Sequence, residues 1–179
     1  MIYPIVAYGD PVLRQNALDI APGTDVQQLA QDMLATIDAA SAAGLAAPQI
    51  GKRLRIFAVD LTPLFKRPYR KVFINPVLCL DETSALQHRE EYCLSIPDVG
   101  VQVPRRAQLT ITYFDESWQR HEEILTDMPA RVIQHEYDHL EGTLHVDYAS
   151  SLRKRLIKNK LAKISQGQVD VPYKMRFPA

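Results

Sequence analysis

The stretch that decides the reading is DMPARVIQHEYDHLEG, Asp127 to Gly142. Asp127 reads as an N-cap, Pro129 is tolerated in a first helical turn, and Gly142 can take the positive φ that ends a helix after about Glu141. Inside this span stands HEYDH, His135 to His139. At i and i+4 two imidazoles share one helix face about 6 Å apart, close enough to bind one metal ion, with Glu136 on the flank to take a proton from water. Seven, four and three residues before His135 stand Met128, Arg131 and Val132, on the same face and so expected to line a pocket. A cation at Arg131 is expensive to bury alone, which sends it to the pocket rim or to an internal carboxylate.

Outward from this helix the pattern changes period. Upstream, Thr24 and Gln27 read as a capping box, followed by Val26, Leu29, Met33, Leu34 and Ile37 at the spacing of one helix face, in a helix that stops before Gly44. Residues 54–61, 71–80, 86–95, 99–104, 108–114 and 119–125 read as strands, and a turn around Asp115 to Ser117 joins the last two into a hairpin. Pro76 demands an edge or a bulge in the second of them. Downstream, a helix over 150–164 carries Leu152, Leu156, Ile157, Leu161 and Ile164 as its apolar stripe. A helix, a run of antiparallel strands and two further helices make an α+β protein. Its strands are expected to pack around a central metal-binding HExxH helix, between an N-terminal and a C-terminal helix. With 179 residues, no repeat and no Gly/Ser linker, one catalytic domain is expected over 1–179, in which 150–179 form a basic C-terminal helix and tail.

Composition narrows the function classes. Lys plus Arg number 21 and so do Asp plus Glu, so no global charge marks a nucleic-acid wrapper or a polyanion binder. No apolar run is long enough for a bilayer and the first residues lack a secretory pattern, so a cytoplasmic location is expected. Two cysteines are too few for a disulfide scaffold. Cys79 reads as a buried core thiol, while Cys93 is open to a functional role. The last helix carries Arg153, Lys154, Arg155, Lys158, Lys160 and Lys163 with no acid between Leu152 and Ile164. Such a run is either a solvated face or a docking surface for RNA or protein.

Two histidines leave a catalytic metal one protein ligand short, since an open site has three ligands plus water. A later carboxylate is disfavoured because no Glu follows Glu141. His145 completes H-E-x-x-H-x-x-G-x-x-H with His135, Glu136, His139 and Gly142, the long metzincin pattern of endopeptidases, although the Met turn of that class has no good candidate except Met175. Cys93 is the third candidate, as a thiolate.

Three segments bear on that choice: GLAAPQIG (Gly44–Gly51), EYCLSIP (Glu91–Pro97) and QHEYDHLEG (Gln134–Gly142). Together and in this order they resemble the signature motifs of the peptide deformylase family. The likeness extends to GDPVLR at Gly9–Arg14 and INP at Ile74–Pro76, and so covers most of the chain. It implies that Cys93, His135 and His139 bind one divalent ion, most often Fe2+ in this family, although Zn2+, Ni2+ or Co2+ suit such donors too. It also implies that Glu136 is the acid/base, and that the Gln49 amide and the Leu94 backbone N–H receive the oxyanion as formate is released from N-formylmethionyl peptides. Gly44, Ala43, Glu91, Met128, Arg131 and Val132 are the expected substrate-binding residues. Two positions depart from the family pattern: its first motif begins Gly-x-Gly where this chain has Ala42-Ala43-Gly44, and Tyr92 stands where a glycine usually separates Glu from Cys. Alternation in an extended segment would turn Tyr92 away from the face of Glu91 and Cys93. A weakly active or inactive deformylase-like protein is therefore an alternative beside the endopeptidase.

Overall fold

The computed structural model describes residues 1–178. In chain order its strands are β1 (Ile5–Val6), β2 (Gly44–Ala46), β3 (Ile56–Asp60), β4 (Arg70–Leu80), β5 (Leu86–Cys93), β6 (Ile96–Arg106), β7 (Gln108–Phe114), β8 (Arg120–Thr126) and β9 (Met175–Arg176). The helices are α1 (Gln27–Ala40), the single turn α2 (Thr62–Phe65), α3 (Asp127–Leu140) and α4 (Ser151–Ser165), with short 3-10 turns at 11–14, 47–50 and 145–148.

Helices and antiparallel sheets are mixed in an α+β arrangement. One sheet has the order β2-β3-β4-β7-β8, and β5 pairs with β6 as a separate hairpin. The period-2 alternation of the sheet decides what covers each face. Phe57 and Val59 of β3 and Phe73 of β4 pack with Ala130, Ile133 and Leu140 of α3. Their neighbours Ile56, Ala58, Val72 and Ile74 pack on the other face with Ala30, Met33 and Ile37 of α1. Phe73 stacks on Phe57 with ring centroids 4.7 Å apart and meets Tyr113 at 4.2 Å, anchoring the α3 side. A third cluster joins Val99, Val101 and Val103 of β6 to Ile157 and Ile164 of α4.

Several expectations change at this level. Pro76 does mark a bulge: the β4–β7 register shifts between Ile74 and Val77, and Asn75 adopts φ 47°. The extra residue flips the parity of the strand, so Leu78 and Leu80 take the face of Phe73 while Val77 and Cys79 turn outward. Cys79 is thus exposed, not a buried core thiol. Of the apolar stripe of α4, Ile157, Ile164 and, partly, Leu161 face the protein; Leu152 and Leu156 are 68% and 67% exposed, because among the described residues nothing packs over the outer side of the helix. Thr24 caps nothing: its hydroxyl donates to the Ala21 carbonyl in the preceding turn, and α1 starts after Val26 without a side-chain cap. Asp127 is not the N-cap either. It is the first residue of α3, at φ 54°, with its carboxylate accepting from Gln87.

Candidate active site

Three elements build the site. Helix α3 presents His135 and His139 one turn apart, and β5 ends on Cys93. The segment β2 and the 3-10 turn after it bring Gly44 and Gln49. One donor atom each from Cys93, His135 and His139 lie within 4.8 Å of one another, and Cys93 Sγ is 3.3 Å from His139 Nε2. His135 turns Nδ1 to a Glu91 carboxylate oxygen at 3.0 Å, which leaves its Nε2 for the cluster. Burial alone would raise the Cys93 thiol, but the adjacent His139 and hydrogen bonding from His135, His139 and His145 outweigh it and hold the thiol well below its ordinary value. A thiolate between two imidazoles is a donor set suited to a first-row divalent ion.

Behind the donors lies a buried charge network. Glu91 accepts from Arg105 Nε and Nη2, both at 3.0 Å, and from Arg131 Nη1 at 2.6 Å; Arg105 also reaches Asp138 at 2.6 Å. Burial opposes the Glu91 charge, yet His135 and Arg105 hold this carboxyl well below the usual carboxylate range. Two cations thus face two anions, which is how such charges survive burial. Glu91 also lines the cavity, with both of its side-chain oxygens engaged by these partners. Arg131 reaches the internal carboxylate rather than the rim, and it still lines the cavity.

Glu136 is 4% exposed, and its Oε2 has no hydrogen-bond partner among the described residues. Burial pushes its carboxyl up to about 7 against the opposing pull of His135 and His139. The room for it is made by Gly44: a Cβ there would stand 2.6 Å from Glu136 Oε1. Gly44→Ala should therefore displace this carboxylate without unfolding the chain. A tenfold to hundredfold loss of kcat, roughly the effect of a 1 Å misplacement, is expected with metal content unchanged; parental kcat would refute the steric argument.

Gln49 is oriented from both ends. Its Oε1 accepts the Ala46 N–H at 2.8 Å and its Nε2 points at Cys93 Sγ at 3.4 Å. Leu94 and Ser95 form the turn between β5 and β6. Gln49 and Leu94 open on a cavity of about 500 Å³, whose walls include Ala43, Gly44, Met128, Arg131 and Val132. Tyr92 is 59% exposed and bonds Glu90, so alternation does turn it from the face of Cys93, although its edge still borders the cavity. His145 lies outside the donor cluster: its Nε2 is bound to the Val99 carbonyl at 2.7 Å. Asp170 to Tyr173, which no motif singles out, also line the cavity. Only the return of the chain after α4 brings them there.

A family model described as Polypeptide deformylase matches residues 2–155. The peptide deformylase of Cytophaga hutchinsonii is 52% identical over 183 aligned positions, covering 99% of this chain and 98% of its own. That of Christiangramia forsetii is 47% identical over 191 positions, covering 99% and 97%. Among solved structures, the peptide deformylase from Thermus thermophilus superposes with a TM-score of 0.84 at 34% identity, over 94% of this chain and 100% of that one.

Proposed function

The chain belongs to the peptide deformylase family, hydrolases that remove N-formyl groups, and on that premise we propose how its residues divide the reaction on newly made polypeptides. The family is metal-dependent, and Cys93, His135 and His139 are the residues that would hold the ion. We assign Fe2+ as the native metal on the family resemblance; Zn2+, Ni2+ and Co2+ suit the same donors. When bound, the ion supplies a Lewis acid that acidifies water and polarises a carbonyl oxygen. Glu136 takes the proton from the attacking water and delivers it to the leaving amine nitrogen, releasing formate and a free N-terminus. A carboxyl poised near neutrality is suited to both transfers. Negative charge builds on the formyl oxygen, where the Gln49 amide and the Leu94 backbone N–H donate to it. Ala46 already holds the other end of the Gln49 amide, which fixes where its nitrogen points. The methionine side chain enters among Met128, Val132 and the stem of Arg131, with Ala43 and Gly44 along the peptide. Glu91 fixes the tautomer and orientation of His135 rather than touching substrate.

The observation that carries this reading is the convergence of the thiol and two imidazoles with Glu136 and Gln49 on one cavity. It is tested on anaerobically purified protein with a formyl-Met peptide and its unformylated twin. Formate release from the first alone, kept by His145→Ala, is expected. Internal cleavage that depends on His145 would restore the endopeptidase alternative, which is not favoured because the Val99 carbonyl already occupies His145 Nε2. Metal without turnover would restore the inactive one.

Among the described residues no helix is long and apolar enough to cross a membrane. We place the protein in the cytoplasm, where formylated chains emerge. We further propose that α4 docks on the ribosome. Leu152, Arg155 and Leu156 share a solvent-facing side of it, and Lys154, Lys158 and Lys163 are exposed beside them. Phosphate-directed binding releases counterions, so association with ribosomes should fall by at least tenfold between about 50 and 200 mM salt. Arg155→Glu with Lys158→Glu should abolish it in a pelleting assay; salt-independent binding would speak against the surface.

A further inference from the structure

After α4 the chain returns to the site. Asp170, Val171, Pro172 and Tyr173 line the same cavity as Cys93, Gln49 and Glu136. This segment is anchored rather than draped. Strand β9 runs parallel to β1, with the Ile5 N–H donating to the Lys174 carbonyl and the Ala7 N–H to the Arg176 carbonyl, both at 2.8 Å. Arg176 adds an ion pair to Asp10 at 3.3 Å. The paired segments grip one turn of the active site between them. From the β1 side the Tyr8 N–H donates to the Ser95 carbonyl at 2.9 Å, and from the β9 side the Tyr173 hydroxyl donates to the Leu94 carbonyl at 3.0 Å.

We propose that residues 170–173 are a working wall of the substrate cavity, and that Tyr173 is a positioning residue which holds the Leu94 turn so that the Leu94 N–H stays aimed at the reacting oxygen. This rests on the deformylase reading of Leu94. Peptide units are rigid planes joined at Cα, so fixing the Leu94 carbonyl restricts rotation about the residue whose N–H must point into the cavity. A donor held in place before the reaction stabilises the transition state more than the ground state, and its loss lowers kcat rather than raising KM. One neutral hydrogen bond corresponds to roughly fivefold in a rate or equilibrium constant. The ring of Tyr173 has a separate role, since it walls the cavity whether or not it carries a hydroxyl.

The test uses the full-length, metal-loaded enzyme with Tyr173→Phe and Tyr173→Ala. Formate release from a formylmethionyl tripeptide is read with metal content, thermal midpoint and hydrogen exchange of the peptide spanning Leu94 to Ile96. Tyr173→Phe is expected to keep metal content, thermal midpoint and KM, to lower kcat about three- to tenfold, and to speed exchange in that peptide. Tyr173→Ala should add a rise in KM as the wall is lost. Parental kcat in Tyr173→Phe, or a loss confined to KM, overturns the positioning role. Failure of the parent enzyme to release formate would instead overturn the deformylase reading, so the two failures are distinguishable.

Discussion

Glu136→Gln is expected to lower kcat for formate release by about a thousandfold, within the range that general acid–base catalysis supplies. The amide keeps the shape and reach of the side chain but cannot shuttle a proton. Metal content and KM should stay near the parental values, because neither Cys93 nor the histidines are touched. The thermal midpoint should be no lower, since a neutral amide is cheaper to bury than a carboxylate, and this carboxylate is 4% exposed with one oxygen unpartnered among the described residues. Steady-state kinetics beside metal analysis separate the outcomes. A Glu136→Gln variant with full metal and a rate within a few-fold of the parent would remove Glu136 from the chemistry.

Cys93→Ala is expected to be as severe by another route. His135 and His139 alone offer two donors where a retained catalytic ion needs three. Purified protein should contain well under one equivalent of metal, and formate release should fall on the order of a thousandfold or more. The fold should survive. The Glu91–Arg105–Arg131 network that sets the back of the site does not pass through Cys93, and a small apolar side chain fits this buried position. Removing the ion from the parent with a chelator should reproduce the loss, and re-addition of Fe2+ should reverse it only where Cys93 is present. A Cys93→Ala variant with full metal and activity would show that the third donor lies elsewhere.

What is legible in the sequence is whatever depends on near neighbours in the chain. The i, i+4 pair His135 and His139, the alternation that turns Tyr92 away from Cys93, and the bulge forced by Pro76 are all consequences of helix or strand geometry within a few residues. The strand expected over 108–114 agrees with β7 to the residue for the same reason. The departures share an opposite cause. Cys79 faces outward because a bulge three residues earlier flips which side of β4 meets α3. Leu152 and Leu156 sit at correct helical spacing, yet spacing does not say whether another layer covers that side. Thr24 has the chemistry of a cap, but its hydroxyl is taken by Ala21.

The sequence by itself therefore determined the reagents: a helix bearing His-Glu-x-x-His, Cys93 in an extended segment, an amide in a glycine-bounded loop, and the order of motifs that relates them to one family. Only the tertiary structure decided their company. It made Glu91 the buried partner of His135, Arg105 and Arg131, and tied His145 Nε2 to the Val99 carbonyl. It also carried Tyr173 across the molecule to Leu94, 79 positions away in the chain. Local dihedral preferences act over one turn or one strand, whereas burial and charge pairing depend on which distant segments close over a group, and that is settled only when the whole chain packs.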